Sequence, residues 1–510
     1  MAFILALIPI LLILVLMVGL RWGAARAGAA GYLSALLIAL AAFGSGPQLL
    51  AYAHAKAALL ALDVLLIIWA AFLLYRVADE AGAIRRIGDS LPHLTSDPGM
   101  QALVIGWVFA SFLQGVGGFG VPVAVIAPLL VGLGFAPLSA VAIPSIGHGW
   151  AVTFGSLGSS FQALMAASDL PGHSLAPPAA TFLGLAGLLS GWMVAHAAGG
   201  WQAVRRLALA VLVLGLVMGL VQYLAAVAGL WNLAAFSGSV AGLLVAFPLA
   251  RRYRGAQRDN GVLDLKALGV ALSGYAVLVA IILAVQLIPA LMSVLGQVEL
   301  EVHFPEIRTA LGFVTPAGPG RNIAIFRHPG FVLGYSCVLA YLIYRWAGLY
   351  RPGSVSRILA GTLRSVLSSS VSILSMVSMA VIMEHAGMTD ALARGLAEGV
   401  GGIFPAVAPW IGALGAFMTG SNTNSNVVFG ALQLRTAQLL GYGAAIILAG
   451  QTAGASLASV VAPTKVVVGA STAGMAGHEG DVMRKLSLYT GLAVLLVSLL
   501  TVMGVWLTSS

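Results

Sequence analysis

Residues 417–430 read "FMTGSNTNSNVVFG". Three asparagines, two threonines and two serines stand there between strongly apolar flanks, in a chain that is 60% hydrophobic and 8% charged. An ordinary soluble domain carries roughly 25% charged residues. Apolar segments recur along all 510 residues with no long polar block between them, which predicts one all-α integral membrane domain that crosses the bilayer many times. A polar cluster inside such a chain must line a cavity or be buried in protein, because an unpaired backbone amide in hydrocarbon costs several kcal/mol.

A second interruption, "FLQGVGGFGVPVAV" at 112–125, matches the first. Superposing Phe112 on Phe417 brings Gly115 onto Gly420, 305 residues on. Downstream, "GHGWAVTFGSLG" from Gly147 meets "GQTAGASLASVV" from Gly450 at nearly the same offset, 303. Two anchors at one spacing indicate an internal repeat. Arg76, Arg85 and Arg86 precede the first motif, whereas Glu384, Asp390 and Glu398 outweigh Arg394 before the second. The two copies are therefore expected to lie in opposite orientations, the pattern of a secondary transporter whose site forms where matching segments are broken.

The charge follows from topology. A net +9 falls in clusters at Arg21/Arg26, Arg76/Arg85/Arg86, Arg205/Arg206, Arg251 to Lys266, Arg345 to Arg364 and Arg484/Lys485, separated by apolar spans. The positive-inside rule puts all of these in the cytoplasm and both termini outside, and no nucleic acid is needed to explain them. The apolar start lacks a basic leader and a small-residue cleavage site, so it is expected to remain as a first span. Residues 1–250 form the expected first half, 251–266 a basic cytoplasmic linker, and 267–510 a second half with a long external loop at 296–329. Cys337 is the only cysteine, which excludes an internal disulfide and cysteine-clustered metal sites. No cofactor or metal is implied.

Both motifs are expected to be tips of re-entrant helical hairpins. Small residues permit the reversal, and Ser, Thr and Asn cap the helix that follows. The helix ends then offer N–H groups and a partial positive charge to a small anion, while amides and hydroxyls suit a hydroxyl beside a carboxylate. Interhelical hydrogen bonding is the plainer alternative for "GSNTNSN", and close helix packing for the glycines. Lys465 in "SVVAPTKVVVGAS" stands in a run too apolar for a surface loop, so it either meets a substrate carboxylate or snorkels to an interface. His148 is a candidate for proton coupling or a structural histidine. Asp63, the only acid in "ALLALDVLLIIWAAF", is a second coupling candidate or a capping residue. No nucleophile triad or phosphate loop stands out, and an intramembrane hydrolase using Ser421 or His148 is the weak rival to transport.

With "SFLQGVGGFGVPVAVIAPLLVGLGF", "GAFMTGSNTNSNVVFGALQ", "APTKVVVGASTAGMAGHEGDVMRK" and "FRHPGFVLGY" in view, the chain resembles the L-lactate permease family over nearly its whole length. That resemblance implies roughly 12 to 14 membrane segments and import of L-lactate, D-lactate or glycolate with protons across the bacterial inner membrane. Position by position it implicates Gln114, Gly115, Gly117, Gly118, Phe119 and Gly120, then Gly420, Ser421, Asn422, Thr423, Ser425 and Asn426, with Lys465 beside them. Familiar members have an acid at the position of Gln114, and some have Asp at that of Asn422; here both are amides. An amide cannot titrate, so proton coupling must fall to His148 or Asp63 or be absent, and a different small anion such as a sulfonate stays open, as does an anion channel. The family is similar to a wider group of ion transporters with inverted repeats, several of which work as elevators.

Overall fold

In hydrocarbon a chain must close its own backbone hydrogen bonds, and runs of Leu, Val, Ile and Ala do so as helices. The computed structural model describes residues 2–20, 22–118, 120–253, 265–319 and 323–509. Nearly all of them are helical. Eleven helices are long and apolar enough to cross a membrane, and Ala2–Met17 and Val121–Gly132 are shorter apolar helices. Proline opens many of the helices, at 47, 98, 137, 329 and 463, where its missing N–H would be unpaired anyway.

After α1 (Ala2–Leu14) come α2 (Ala24–Ala42), α3 (Pro47–Glu80), α4 (Ala83–Ser90), α5 (Pro98–Val116), α6 (Val121–Gly132), α7 (Pro137–Gly149), α8 (Ser159–Ser168) and α9 (Gly172–Arg206). Three connecting helices follow, α10 (Ala208–Val227), α11 (Trp231–Ala250) and α12 (Leu265–Leu287), then the short α13 (Pro289–Leu295). The order of α2 to α9 then recurs in α14 (Pro329–Trp346), α15 (Ser354–His385), α16 (Met388–Val400), α17 (Phe404–Thr419), α18 (Asn422–Leu440), α19 (Ala444–Ala458), α20 (Pro463–Thr472) and α21 (Glu479–Ser509). Each set has a very long helix, a left-handed glycine (Gly82 at φ 68°, Gly387 at φ 80°), a short amphipathic helix, a hairpin, a broken helix and a long closing helix.

Matched elements cross antiparallel. On α3 and α15, Arg357 Nε donates to Glu80 at 2.8 Å and Trp69 Nε1 to Ser370 at 2.8 Å, so numbers rise on one helix as they fall on the other. The two helix breaks meet in the same sense. Thr153 Oγ1 donates to Thr452 O at 3.2 Å, and its counterpart Ser456 Oγ donates to Gly149 O at 2.7 Å. These two bonds are images of one another under an exchange of the halves.

Polar contacts tie several helix ends together at one end of the bundle. Arg206 pairs with Asp97 at 2.8 Å, Thr95 donates to Tyr253 O, and Arg357 pairs with Glu80 at 2.7 Å, which gathers the basic ends of α3, α9, α11 and α15. At the other end lies a feature that differs from the expected irregular loop at 296–329. Residues 299–319 and 323–324 hold three short antiparallel ladders of a β arm, β1 (Glu299–Leu300) with β6 (Ile323–Ala324), β2 (His303–Phe304) with β5 (Gly318–Pro319), and β3 (Ile307–Arg308) with β4 (Val314–Thr315). The arm is fastened by Ala310 N to Gly44 O at 2.8 Å and by Phe304 edge-on to Tyr52. Of the expected linker at 251–266, residues 254–264 lie outside the described residues; Arg251–Tyr253 is one helical turn and Leu265 already begins α12.

Candidate functional site

The polar stretch that opened the sequence folds as the expected reversal. α17 ends at Thr419, Gly420 turns with φ 71°, and extended Ser421 caps α18 by accepting from Asn424 N at 3.2 Å. The first turn of α18 is polar and buried, with Asn422 1%, Thr423 2%, Ser425 0% and Asn426 0% exposed. Helical spacing separates its tasks. Asn422 and Asn426, four apart, face the broken helices: Asn422 Nδ2 donates to Thr153 Oγ1 at 2.9 Å, and Asn426 Nδ2 donates to Thr452 Oγ1 and Ser160 O, both at 2.9 Å. Thr423 Oγ1 meets Ser160 Oγ at 3.0 Å. Ser425 ties the hairpin together by donating to Gly412 O at 2.8 Å, and it also accepts from Gln451 Nε2 on α19 at 3.1 Å.

The first tip is built from backbone. α5 ends beside Gln114, then Gly118 (φ 62°) and Gly120 (φ 88°) turn the chain into α6; Phe119 lies outside the described residues. A Cβ on Gly118 would run into Ser156 Oγ, so only glycine lets the tip approach the break after α7. The other glycines serve packing: Gly115 lies against the backbone of Phe236 on α11, and Gly117 against Tyr75. Both tips converge on one corner. A Cβ on Gly120 would sit 3.9 Å from Lys465 Cγ, and one on Gly420 would sit 2.5 Å from Thr464 Oγ1. Lys465 is 9% exposed and donates to Ser459 Oγ at 3.1 Å, and that hydroxyl donates to Ser456 O at 2.9 Å.

The break between α7 and α8 is strained. Ser156 (φ 47°) and Leu157 (φ 56°) are consecutive non-glycine residues in the left-handed region, a conformation that costs about 1–3 kcal/mol each and tends to persist where function needs it. Several polar atoms nearby are buried without a protein partner: Gln114 Oε1, His148 Nε2, Ser159 Oγ, Asn422 Oδ1 and Asn426 Oδ1. Among the described residues such atoms also occur away from the tips, on Trp107, Gln222 and Tyr275 for example, so it is the place of these five in the hairpins and the α7–α8 break, beside polar neighbours, that makes them candidates for ligand contact.

Thr153, Ser156, Ser160, Gln451, Thr452, Ser456 and Ser459 belong to this cluster although the sequence reading gave them no role. Their signal was present, since six of the seven lie in the two stretches that revealed the repeat and Ser160 follows the first by two residues.

The two coupling candidates part company. His148, fully buried on α7, points Nδ1 at Pro144 O, 2.6 Å away, and lies within electrostatic range of Lys465. Asp63 is engaged elsewhere: its Oδ1 is 2.8 Å from His328 Nε2. His328 Nδ1 accepts from Gly330 N at 3.1 Å and caps α14, so its proton sits on Nε2 and is donated to Asp63. The motif "FRHPGFVLGY" thereby joins the second half to α3. His328→Phe is expected to lower stability by about 1–3 kcal/mol, the usual loss for a buried hydrogen bond to a charged group; an unchanged melting temperature of the purified protein would refute this.

On the side of the β arm, a cavity of about 510 Å³ is lined by Lys56, Asp169, Phe313, Glu384 and Arg435 and reaches Val427 on α18, one residue beyond Asn426. Arg435 is pinned there by Asp390 at 2.6 Å.

The sequence profile for L-lactate permease matches residues 2–508. The glycolate permease GlcA of Escherichia coli (strain K12) is 28% identical, over 94% of this chain and 91% of its own length. The L-lactate permease of Bacillus subtilis is 27% identical over 84% of this chain and 82% of its own, and that of Salmonella typhi 26% over 82% and 80%. Two solved structures align with a TM-score of 0.48 each. They are the YdaH transporter of Alcanivorax borkumensis (15% identity, 86% of this chain and 84% of that one) and MtrF of Neisseria gonorrhoeae (14%, 86% and 81%).

Proposed function

The chain belongs to the L-lactate permease family and is a multi-pass membrane transporter, and from that premise we propose that it imports a small 2-hydroxymonocarboxylate, lactate or glycolate, together with a proton across the bacterial inner membrane. One observation carries this reading. The two hairpin tips converge on the start of α20, Gly120 beside Lys465 and Gly420 beside Thr464, and Gln114, Asn422 and Asn426 in those hairpins carry buried acceptor atoms without a partner among the described residues. The ammonium and the first turn of α18 suit a carboxylate. Asn422 Oδ1 and Asn426 Oδ1 suit the donor of a neighbouring hydroxyl. Gln114, Gly118 and Gly120 close the site from the first half, and Gly420, Ser421, Thr423 and Ser425 hold the shape of the second tip.

The antiparallel crossings of α3 with α15 and of the two breaks support inverted repeats. In this reading the end bearing Arg206, Arg251 and Arg357 faces the cytoplasm and the β arm faces outward, with the charged cavity as the approach from outside. The hairpins and broken helices then form the unit that moves against α3 and α15.

Purified protein in liposomes is expected to take up labelled lactate or glycolate saturably, faster with an acidic exterior, and to show transient overshoot when preloaded with unlabelled substrate. Flux without overshoot would identify a channel. Competition by a hydroxysulfonate but by neither hydroxy acid would move the substrate class.

A further inference from the structure

We propose that the ε-amino group of Lys465 carries the coupling proton, as an ammonium while the substrate carboxylate is bound and as a neutral amine when the site returns empty. The inference rests on the carboxylate-carrier reading above and names the group that couples it to protons.

A symport site must gain a proton with its substrate and lose it with its substrate. Neither tip segment, 112–125 or 417–430, contains an acid; their polar side chains are amides and hydroxyls such as Gln114 and Asn422, which do not titrate. Asp63 is held by His328, away from the tips. The elements packed around Lys465 bring few alternatives. α6 (Val121–Gly132) has no ionisable residue, α7 brings His148 alone, and the end of α19 brings only Ser456 and Ser459. α21 carries Glu479, Asp481, Arg484, Lys485 and Tyr489, with Lys485 turned to Ser139 at 3.1 Å. Among the described residues no carboxylate pairs with Lys465. Its one hydrogen bond runs to Ser459 Oγ, whose own hydrogen is committed to Ser456 O. Ser459 therefore accepts from nitrogen, and both an ammonium and an amine can satisfy it.

The charge balance then decides the cycle. Ammonium plus carboxylate is a neutral pair, and empty amine is neutral as well, so both forms that must cross the closed site carry no net charge. An ammonium crossing alone would be a buried charge with no counter-ion, which is strongly disfavoured. Outside, the amine takes a proton from water and the carboxylate binds beside it; inside, the carboxylate leaves and the proton follows to water. One proton moves per anion, and the step is electroneutral.

Three measurements test this. In liposomes, Lys465→Arg keeps a permanent cation; whatever its effect on absolute rates, it should raise the ratio of labelled-for-unlabelled lactate exchange to net uptake driven by a pH gradient by at least about tenfold. In detergent, lactate binding to the wild type should weaken by about tenfold per pH unit once the free amine dominates, and should draw close to one proton per lactate from weakly buffered solution. Lys465→Arg should remove that pH dependence. Proton-driven accumulation by Lys465→Arg, binding by the wild type without proton uptake, or loss of proton movement in His148→Gln with retention in Lys465→Arg would each overturn the proposal. If Lys465→Arg does not fold, the two wild-type readouts decide alone. Transport without proton movement overturns this inference and the proton coupling proposed above but leaves the substrate reading standing, whereas absence of any hydroxy acid transport overturns the substrate reading as well.

Discussion

Asn422→Ala is expected to raise the KM for lactate by about 10- to 100-fold, the equivalent of one or two hydrogen bonds to a charged or strongly polar ligand. The side chain does two separable things. Its Nδ2 donates to Thr153 Oγ1 and so joins the second tip to the first break, and its Oδ1 is buried without a protein partner. Thr153 keeps Thr452 O and Ser456 Oγ when Asn422 is truncated, and the cap by Ser421 is untouched. The fold should therefore survive, and loss should appear in substrate binding rather than in melting temperature. Asn422→Asp provides the sharper contrast. It is nearly isosteric, but it adds a buried negative charge to the second tip, where it repels a substrate carboxylate. Uptake should fall at least as far as in the alanine variant, with melting close to wild type. Wild-type KM in both variants would remove Asn422 from the site.

The reach of sequence reasoning here follows the physics of each signal. A polar run in a hydrophobic chain is a strong signal, since lipid allows so few explanations for it, and the second tip was legible for that reason; the first was legible through its glycines and its match to the second. The repeat was legible because its anchors are glycines, and glycines at 82 and 387, at 115 and 420, keep one offset of 305. The β arm was missed although Val298, Leu300, Val302 and Phe304 alternate with polar residues; the proline and glycine content of 296–329 outweighed a period-two pattern only seven residues long. The partner of Asp63 was invisible, because His328 lies 265 residues away and nothing local ties the two. The glycines of the first tip also divide in a way that sequence does not disclose: Gly118 and Gly120 shape the turn, whereas Gly115 and Gly117 admit neighbours.

The largest structural effect is expected at the crossings that hold each hairpin against its broken helix. In the second half, a Cβ on Gly454 would collide with the carbonyl oxygen of Pro409 on α17, and one on Gly412 with that of Gln451 on α19. In the first half, Gly147 on α7 stands in the same relation to Gly106 on α5, with Ile143 against Gly106 in turn. Backbone touches backbone at these points, so there is no side-chain end to move aside, and a methyl group forces the helices apart. Separation in the second half would break Gln433 Nε2 from Gln451 Oε1 and Gln451 Nε2 from Ser425 Oγ, at 3.0 and 3.1 Å, each costing about 1 kcal/mol on top of the overpacking. Gly454→Ala should lower the melting temperature by several degrees and Gly454→Leu should yield no monodisperse protein. Gly491→Ala, in the interior of α21 with nothing within 4 Å of the added methyl, should be neutral or stabilising by up to about 1 kcal/mol. The contrast isolates contact from propensity, because both positions are helical. Gly454→Leu protein that melts and transports like wild type would show that α17 and α19 do not touch there, and the tips that depend on their crossing would lose their placement.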